Sequence, residues 1–270
     1  MLQAQRWLPT RTLVVVADGA FAALVLLARL TRRARPVLCV TRLRLDARLF
    51  RPAPPRKKGA KGRPRLVGGR FPSLKQVLAD PRTVWQQLTI RHWYSETKRQ
   101  VEITSGTAVW YHGGLPPLPI RWVLVRDPKG KFETRALLCT DLNQTPRQIL
   151  EWFLLRWQVE VTFQQVRTHL GVQTQRQWSD LAIARTTPVL FGLFSIVTLL
   201  AHRLARRGTL PVKQSAWYAK SQPTFSDAIA LVRQRLWRRT SFFTSLSKRH
   251  LTKIPRALFA SLMQAACYPQ

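Results

Sequence analysis

Phe153, Arg156, Glu160 and Arg167 set one carboxylate between two guanidinium groups at helical spacing. On a wheel of about 100° per residue with Arg156 at zero, Phe153 falls near roughly 60°, Glu160 near roughly 40° and Arg167 near roughly 20°, so a helix would present all four on one face. A carboxylate in such a stripe can hold a divalent cation, and guanidinium groups beside it can grip phosphate oxygens. The plain alternative is a stripe of i,i+4 ion pairs on a solvated helix. A second acid of interest is Asp18, which closes the β-branched run Leu13-Val14-Val15-Val16-Ala17. Other acids have simpler readings. Asp127 sits in the turn sequence Asp127-Pro128-Lys129-Gly130, Asp46 lies among Arg42, Arg44 and Arg48 as an ion-pair partner, and Asp141 supports a helix entry.

The elements that must position these residues are readable. Leu13 to Ala17 reads as a buried strand, Ala20 to Ala34 as a helix with Phe21, Leu24 and Val25 on its apolar face, and Val37 to Val40 as a second strand. Strand, helix and strand over residues 10–50 make a βαβ unit with parallel strands. Residues 51–98 form a basic linker and the start of an insertion. Arg51 to Arg70 holds eight Lys or Arg, and its Lys61-Gly62-Arg63-Pro64 resembles the core of a minor-groove AT-hook. Residues 99–144 alternate as β structure. One long helix then runs from Thr145 as N-cap, with Pro146 at the first helical position and Gln148 closing a capping box, to Gly171. That helix and a buried packing helix over Ala182 to Leu204, entered near Pro188, fill 145–205. A C-terminal helical region, with Phe225, Ile229, Val232 and Leu236 on one face, fills 206–270. Along an unbroken helix Thr145 and Glu160 would stand roughly 22 Å apart, which separates Asp141 from Glu160.

Composition narrows the partner. The 270 residues carry 45 Lys plus Arg against 12 Asp plus Glu, a formal net charge of +33. Such a field attracts polyanions and excludes the surface of an ordinary small-molecule enzyme. A hydrophobic content of 46% with ten Trp excludes a merely disordered basic tail. Cys39, Cys139 and Cys267 are odd in number and widely spaced, which suits a reducing cytoplasm rather than a disulfide framework. The uncharged run Thr186 to Ala201 falls short of the roughly 20 apolar residues of a membrane span, so no membrane partner is expected.

Phe153-x2-Arg156-x3-Glu160-x6-Arg167 resembles the Y-x2-R-x3-E-x6-K signature of DDE-type insertion-sequence transposases, the cut-and-paste branch with a β-rich insertion before its final helix. VVVADGAFA within Leu13 to Ala22 looks like that family's strand ending in the second catalytic Asp. VTRLRLDARL over Val40 to Leu49, Thr140-Asp141, and EVTFQQVRTHLG over Glu160 to Gly171 are similar to family sequence as well. The resemblance implies a mixed α/β fold: a partial ribonuclease H-like core with a β-rich insertion, followed by C-terminal helices. It implies Asp18 and Glu160 as catalytic, metal-holding carboxylates for Mg²⁺ or Mn²⁺, and Arg156, Arg167 and Phe153 as DNA-binding residues. It further implies DNA partners (transposon ends and target DNA), a homodimer within a synaptic complex, and a cytoplasmic, nucleoid-associated location. Phe153 lacks the tyrosine hydroxyl, and Arg167 replaces a point charge by a planar fork.

By the same resemblance a first catalytic Asp belongs on a strand ahead of Asp18, and the few residues of Met1 to Arg11 do not hold it. The expectation is therefore a C-terminal portion of a transposase, inactive alone in Mg²⁺-dependent phosphoryl transfer, with an unpaired edge on its parallel strands. The alternative is a non-catalytic basic nucleic-acid-binding protein. Trp110 and Trp122, alternating along strands, read first as sheet packing and second as wedges for a displaced base.

Overall fold

The computed structural model describes residues 1–56, 58–59, 61–94, 96–174, 176–205, 210–213, 220, 222–239 and 254–268. They fall into two units, 1–158 and 159–270.

The first unit opens with a short helix α1 (Leu2–Trp7), followed by β1 (Val14–Ala17), a single 3-10 turn (Gly19–Phe21), α2 (Leu24–Thr31), β2 (Leu38–Leu43) and β3 (Leu49–Phe50). A helix α3 (Leu74–Ala79) precedes β4 (Gln86–Trp93), β5 (Glu96–Trp110), β6 (Leu118–Arg126), β7 (Arg135–Cys139) and α4 (Pro146–Leu155). The strands form one mixed sheet in the order β1-β2-β7-β6-β5-β3, with β4 also on β5. β1 runs parallel to β2, Ala17 opposite Thr41. The β2–β7, β7–β6 and β6–β5 pairs are antiparallel. β1 is an outer strand, paired only with β2 among the described strands. The fold is mixed α/β, consistent with a partial ribonuclease H-like core.

Period-two alternation sorts the sheet residues to two faces. Cys39, Leu43, Ile120, Leu124, Ala136 and Leu138 point to the face where Leu24, Leu27 and Leu30 of α2 and Leu74 of α3 pack. Val40, Val123, Val125, Leu137 and Cys139 point to the other, covered by Ile149, Leu150, Phe153 and Leu154 of α4. With both faces covered, the middle strands read as continuous apolar runs rather than as alternation. The face of α2 differs from expectation. Phe21 and Val25 are exposed, because the 3-10 turn precedes the helix and shifts its phase. The turn at Asp127 is as read, with the Gly130 N–H donating to the Asp127 carbonyl at 3.0 Å. The basic Arg51–Arg70 stretch is tied at its base, the Arg51 N–H donating to Gly69 O and the Gly68 N–H to Arg51 O, both at 2.8 Å.

The single long helix over Thr145 to Gly171 is two helices. α4 starts as expected, with Pro146 at its first position and the Thr145 hydroxyl accepting from the Gln148 N–H at 3.2 Å. It stops at Leu155. The N–H groups of Arg156 and Trp157 turn back to the carbonyls of Phe153 and Leu154, each at 3.2 Å, a tighter three-residue closure. α5 (Gln158–Leu170) then begins anew and ends at Gly171, whose φ of +74° suits glycine. Neither Pro nor Gly lies between Phe153 and Glu160 to announce the break. The unbroken helix expected to carry Phe153, Arg156, Glu160 and Arg167 is therefore interrupted at Arg156 and Trp157.

The second unit holds α5, α6 (Asp180–Leu204), α7 (Phe225–Arg239) and α8 (Arg256–Cys267). Its core is Val197 and Ala201 of α6 against Phe225, Ala228, Ile229 and Val232 of α7, with the Phe194 and Phe225 rings 4.5 Å apart. Leu236, expected in that face, is exposed. α6 also corrects its sequence reading. Pro188 lies inside the helix, and Val197 and Ala201 are its buried residues. At 25 residues, with a mean hydropathy of 1.7 over its most apolar window and 6% of that window buried, it has the length and composition of a membrane-crossing helix.

Candidate nucleic-acid-binding and catalytic site

Asp18 stands where β1 ends. Two parallel strands leave their carboxyl ends on one edge, and the chain must turn there. The Asp18 side chain is exposed and caps the 3-10 turn, accepting the Gly19 N–H at 2.8 Å. Its backbone carbonyl accepts the hydroxyl of Thr41, a 1%-exposed residue on β2, at 2.7 Å. Strand pairing thus fixes the residue at the strand end. Beside it, Gly19 lies against Arg42: a Cβ at Gly19 would stand 3.6 Å from that of Arg42.

Arg42 opens a cavity of about 280 Å³ lined by Arg42, Tyr94, Arg135, Phe153, Arg156 and Trp157. Each comes from a different place. Arg42 is the exposed residue of β2, flanked by buried Thr41 and Leu43. Arg135 starts β7, and its Nη1 donates to the Tyr94 hydroxyl at 3.1 Å. Tyr94, with a φ of +48°, ends the β4 arm of a hairpin and meets the Trp157 ring edge-on at 5.6 Å. Arg156 and Trp157 sit in the α4–α5 break, so the interruption of the helix builds the wall. Phe153 is 4% exposed and packed in the core under α4. It offers this cavity an apolar wall and no hydrogen bond to phosphate. Three guanidinium forks among aromatic faces, with no carboxylate in the described lining, suit a phosphate beside a planar ring.

Glu160 and Arg167 belong to the second unit. Glu160 is half-buried in the first turn of α5, where a carboxylate complements the helix dipole, and Arg167 is exposed in the last turn. Seven residues apart on one helix, they share its face two turns apart. Of the other acids, Asp141 accepts from the Asn143 N–H at 3.0 Å and from Gln144 Nε2 at 2.8 Å, shaping the entry to α4. Asp46 pairs with Arg44 at 2.7 Å on the surface. Among the described residues no three His, Cys, Asp or Glu side chains gather where they could hold a metal ion.

Residues 1–112 match the family model of the DDE superfamily endonuclease. The matched stretch includes Asp18, Arg42 and Tyr94 and supports a DDE-type transposase or endonuclease relationship, hence a nuclease or transposase type of function on DNA. No curated protein matches the chain. The Phe153–Arg167 signature lies beyond the matched stretch. DDE superfamily enzymes generally use divalent metals such as Mg²⁺, but the described donors do not fit a metal pair. Asp18 is the carboxylate at its strand end, and the residue after it, Gly19, lies against Arg42.

Sequence reading missed Arg42, Arg135, Tyr94 and Trp157. For Arg42 a signal existed, one charged residue inside an apolar strand that follows the Asp18 strand. For the others none did, because a hairpin end and a helix break bring them together.

Proposed function

We propose that this chain is a DNA-binding protein of the DDE transposase type, of the Y-R-E-K branch, related to enzymes of Mg²⁺-dependent phosphoryl transfer on transposon-end DNA. In this reading Asp18 and Glu160 are the two family carboxylates present, Arg156 and Arg167 contact phosphate, and Phe153 supports Arg156 from the core. The observation that carries it is Asp18 at the carboxyl end of a parallel strand pair, followed by Gly19, which lies against Arg42 of the three-arginine cavity. Two acids fall short of the three that hold a metal pair in such enzymes, so the chain alone binds DNA without turning it over.

Incubation of the chain with terminal inverted-repeat DNA and Mg²⁺ or Mn²⁺ tests this. Salt-sensitive binding without strand cleavage or joining is expected. Robust cleavage abolished by Asp18→Ala would overturn the claim of inactivity. The absence of a three-acid cluster among the described residues also favours a second reading, a purely non-catalytic nucleic-acid-binding protein. Glu160→Gln separates the two: it weakens Mn²⁺ binding if Glu160 is a family carboxylate and leaves it unchanged otherwise.

A further inference from the structure

The β6–β7 turn overhangs a second cavity, about 330 Å³, lined by Lys98, Arg99, Gln100, Asp127, Pro128, Lys129 and Lys131. Four cations and one carboxylate surround it, and the carboxylate is already committed. The Asp127 side chain is 3% exposed and accepts from Arg99 Nη2 at 2.6 Å, the Lys129 N–H at 2.8 Å and the Lys131 N–H at 3.3 Å. The Lys129 amide first, with the Arg99 guanidinium and Lys131 amide helping against burial, holds that carboxyl below its ordinary range. Arg99 is fixed in turn, its guanidinium lying over the Trp93 and Phe132 rings at 5.5 and 5.2 Å. Lys98, Lys129 and Lys131 are different. All three are exposed, and none has an ion-pair partner among the described residues. A pinned turn thus carries three ammonium groups around a concavity whose own acid is neutralised.

We infer that this cavity receives a backbone phosphate of a nucleic acid strand that also occupies the first cavity. Phe132 links the two: Arg99 lies over its ring at 5.2 Å and Arg135, from the first cavity, over the same ring at 5.7 Å. Two concavities of one sign whose arginines share one aromatic ring suit a ligand with repeated charges, which a phosphodiester chain has and a single small anion lacks. Lysines are point charges without a fork's geometric demand, so this end reads backbone rather than sequence. The inference rests on the DNA-binding reading above.

The test is duplex binding by the full chain across a salt series, with DNA of about 30 bp as probe. Lys98→Gln, Lys129→Gln and Lys131→Gln are combined in one variant, and Asp127 is kept so that the turn stays pinned. The control combines Arg29→Gln, Arg33→Gln and Lys75→Gln, exposed cations away from both cavities. The cavity variant is expected to bind about tenfold more weakly at moderate salt, with a log–log salt slope shallower by about 2 to 3, and the control to change much less. Equal changes in both variants, or a cavity variant that binds as the parent does, would sink the inference and leave the DNA-binding reading standing. A parent chain without salt-dependent duplex binding would sink both.

Discussion

Arg135 Nη1 donates to the phenolic oxygen of Tyr94, 41 residues earlier, at 3.1 Å. The bond joins the start of β7 to the end of the β4–β5 hairpin and holds one of the three guanidinium groups of the first cavity. Tyr94→Phe removes the acceptor and leaves the ring packing on Trp157. Such a partly exposed hydrogen bond contributes about 0.5–1.5 kcal/mol, so duplex affinity should fall roughly two- to tenfold with the melting temperature nearly unchanged. Fluorescence anisotropy with labelled duplex measures this. A Tyr94→Phe chain that binds as tightly as the parent would show that Arg135 needs no positioning.

The fold was more legible than the site. The strand Leu13–Ala17, the turn at Asp127 and the Thr145-Pro146 helix start each carry local chemistry, a β-branched run, an Asp-Pro-x-Gly sequence and a capping hydroxyl, and each stands in the structure. The break at Arg156 has no such local mark. It falls near the end of the first unit, and it puts Arg156 in a cavity wall. α6 misled for a related reason. Its apolar content resembles that of a core helix, but composition does not say which residues meet α7, and Val189, Ile196 and Leu199 remain exposed. Glycine spacing gave no hint of Trp122 lying on Gly106, because that approach crosses two strands.

Asp227, 1% exposed in the first turn of α7, gathers the second unit around one carboxylate. It accepts the Lys220 ammonium, the Thr224 N–H at 2.8 Å, the Lys213 N–H at 3.1 Å and the Tyr268 hydroxyl at 3.2 Å. Burial pushes its carboxyl up, but Lys220 and the two amides outweigh burial and hold it below the ordinary value of 3.8. A depressed carboxylate contributes stability above its unfolded value and loses it as pH falls through the folded one. Asp227→Ala removes the acceptor shared by Lys220, Lys213, Thr224 and Tyr268, and opening of α7 should become easier by about 1–3 kcal/mol. Hydrogen exchange of the α7 amides reads this directly. Asp227→Asn should also remove the share of acid unfolding below about pH 4 that this group supplies. Unchanged exchange in the Ala variant would show that the cluster does not hold the unit together.

Tyr268 gives the same cluster an alkaline limit. Burial, then the Asp227 charge and the hydrogen bond to it, push the phenol from 10.0 to about 12. The raised value means stability that is complete below about pH 10 and lost as pH climbs through about 12. Ultraviolet titration of the chain should show a late tyrosine step near pH 12, and Tyr268→Phe should abolish that late step. A Tyr268→Phe chain that retains the late step would assign it to another tyrosine.

Gly106 and Trp122 decide whether that tryptophan is free to act on DNA. They face each other across β5 and β6, and a Cβ at Gly106 would stand 2.8 Å from Trp122 Cζ2 and 3.1 Å from Cε2. The indole therefore lies against the glycine on the α2 side of the sheet, which supports a packing role for it. Gly106→Ala forces ring and strand apart, and overpacking of this kind costs about 1–3 kcal/mol. The same change in a Trp122→Leu background should cost much less, giving a coupling of about 0.5–3 kcal/mol in a double-mutant cycle of denaturant melts. DNA affinity measured below the melting transition should stay close to that of the parent in all three variants. A selective loss of DNA binding by Trp122→Leu, with Gly106→Ala neutral in stability, would reverse the assignment and return Trp122 to the nucleic-acid surface.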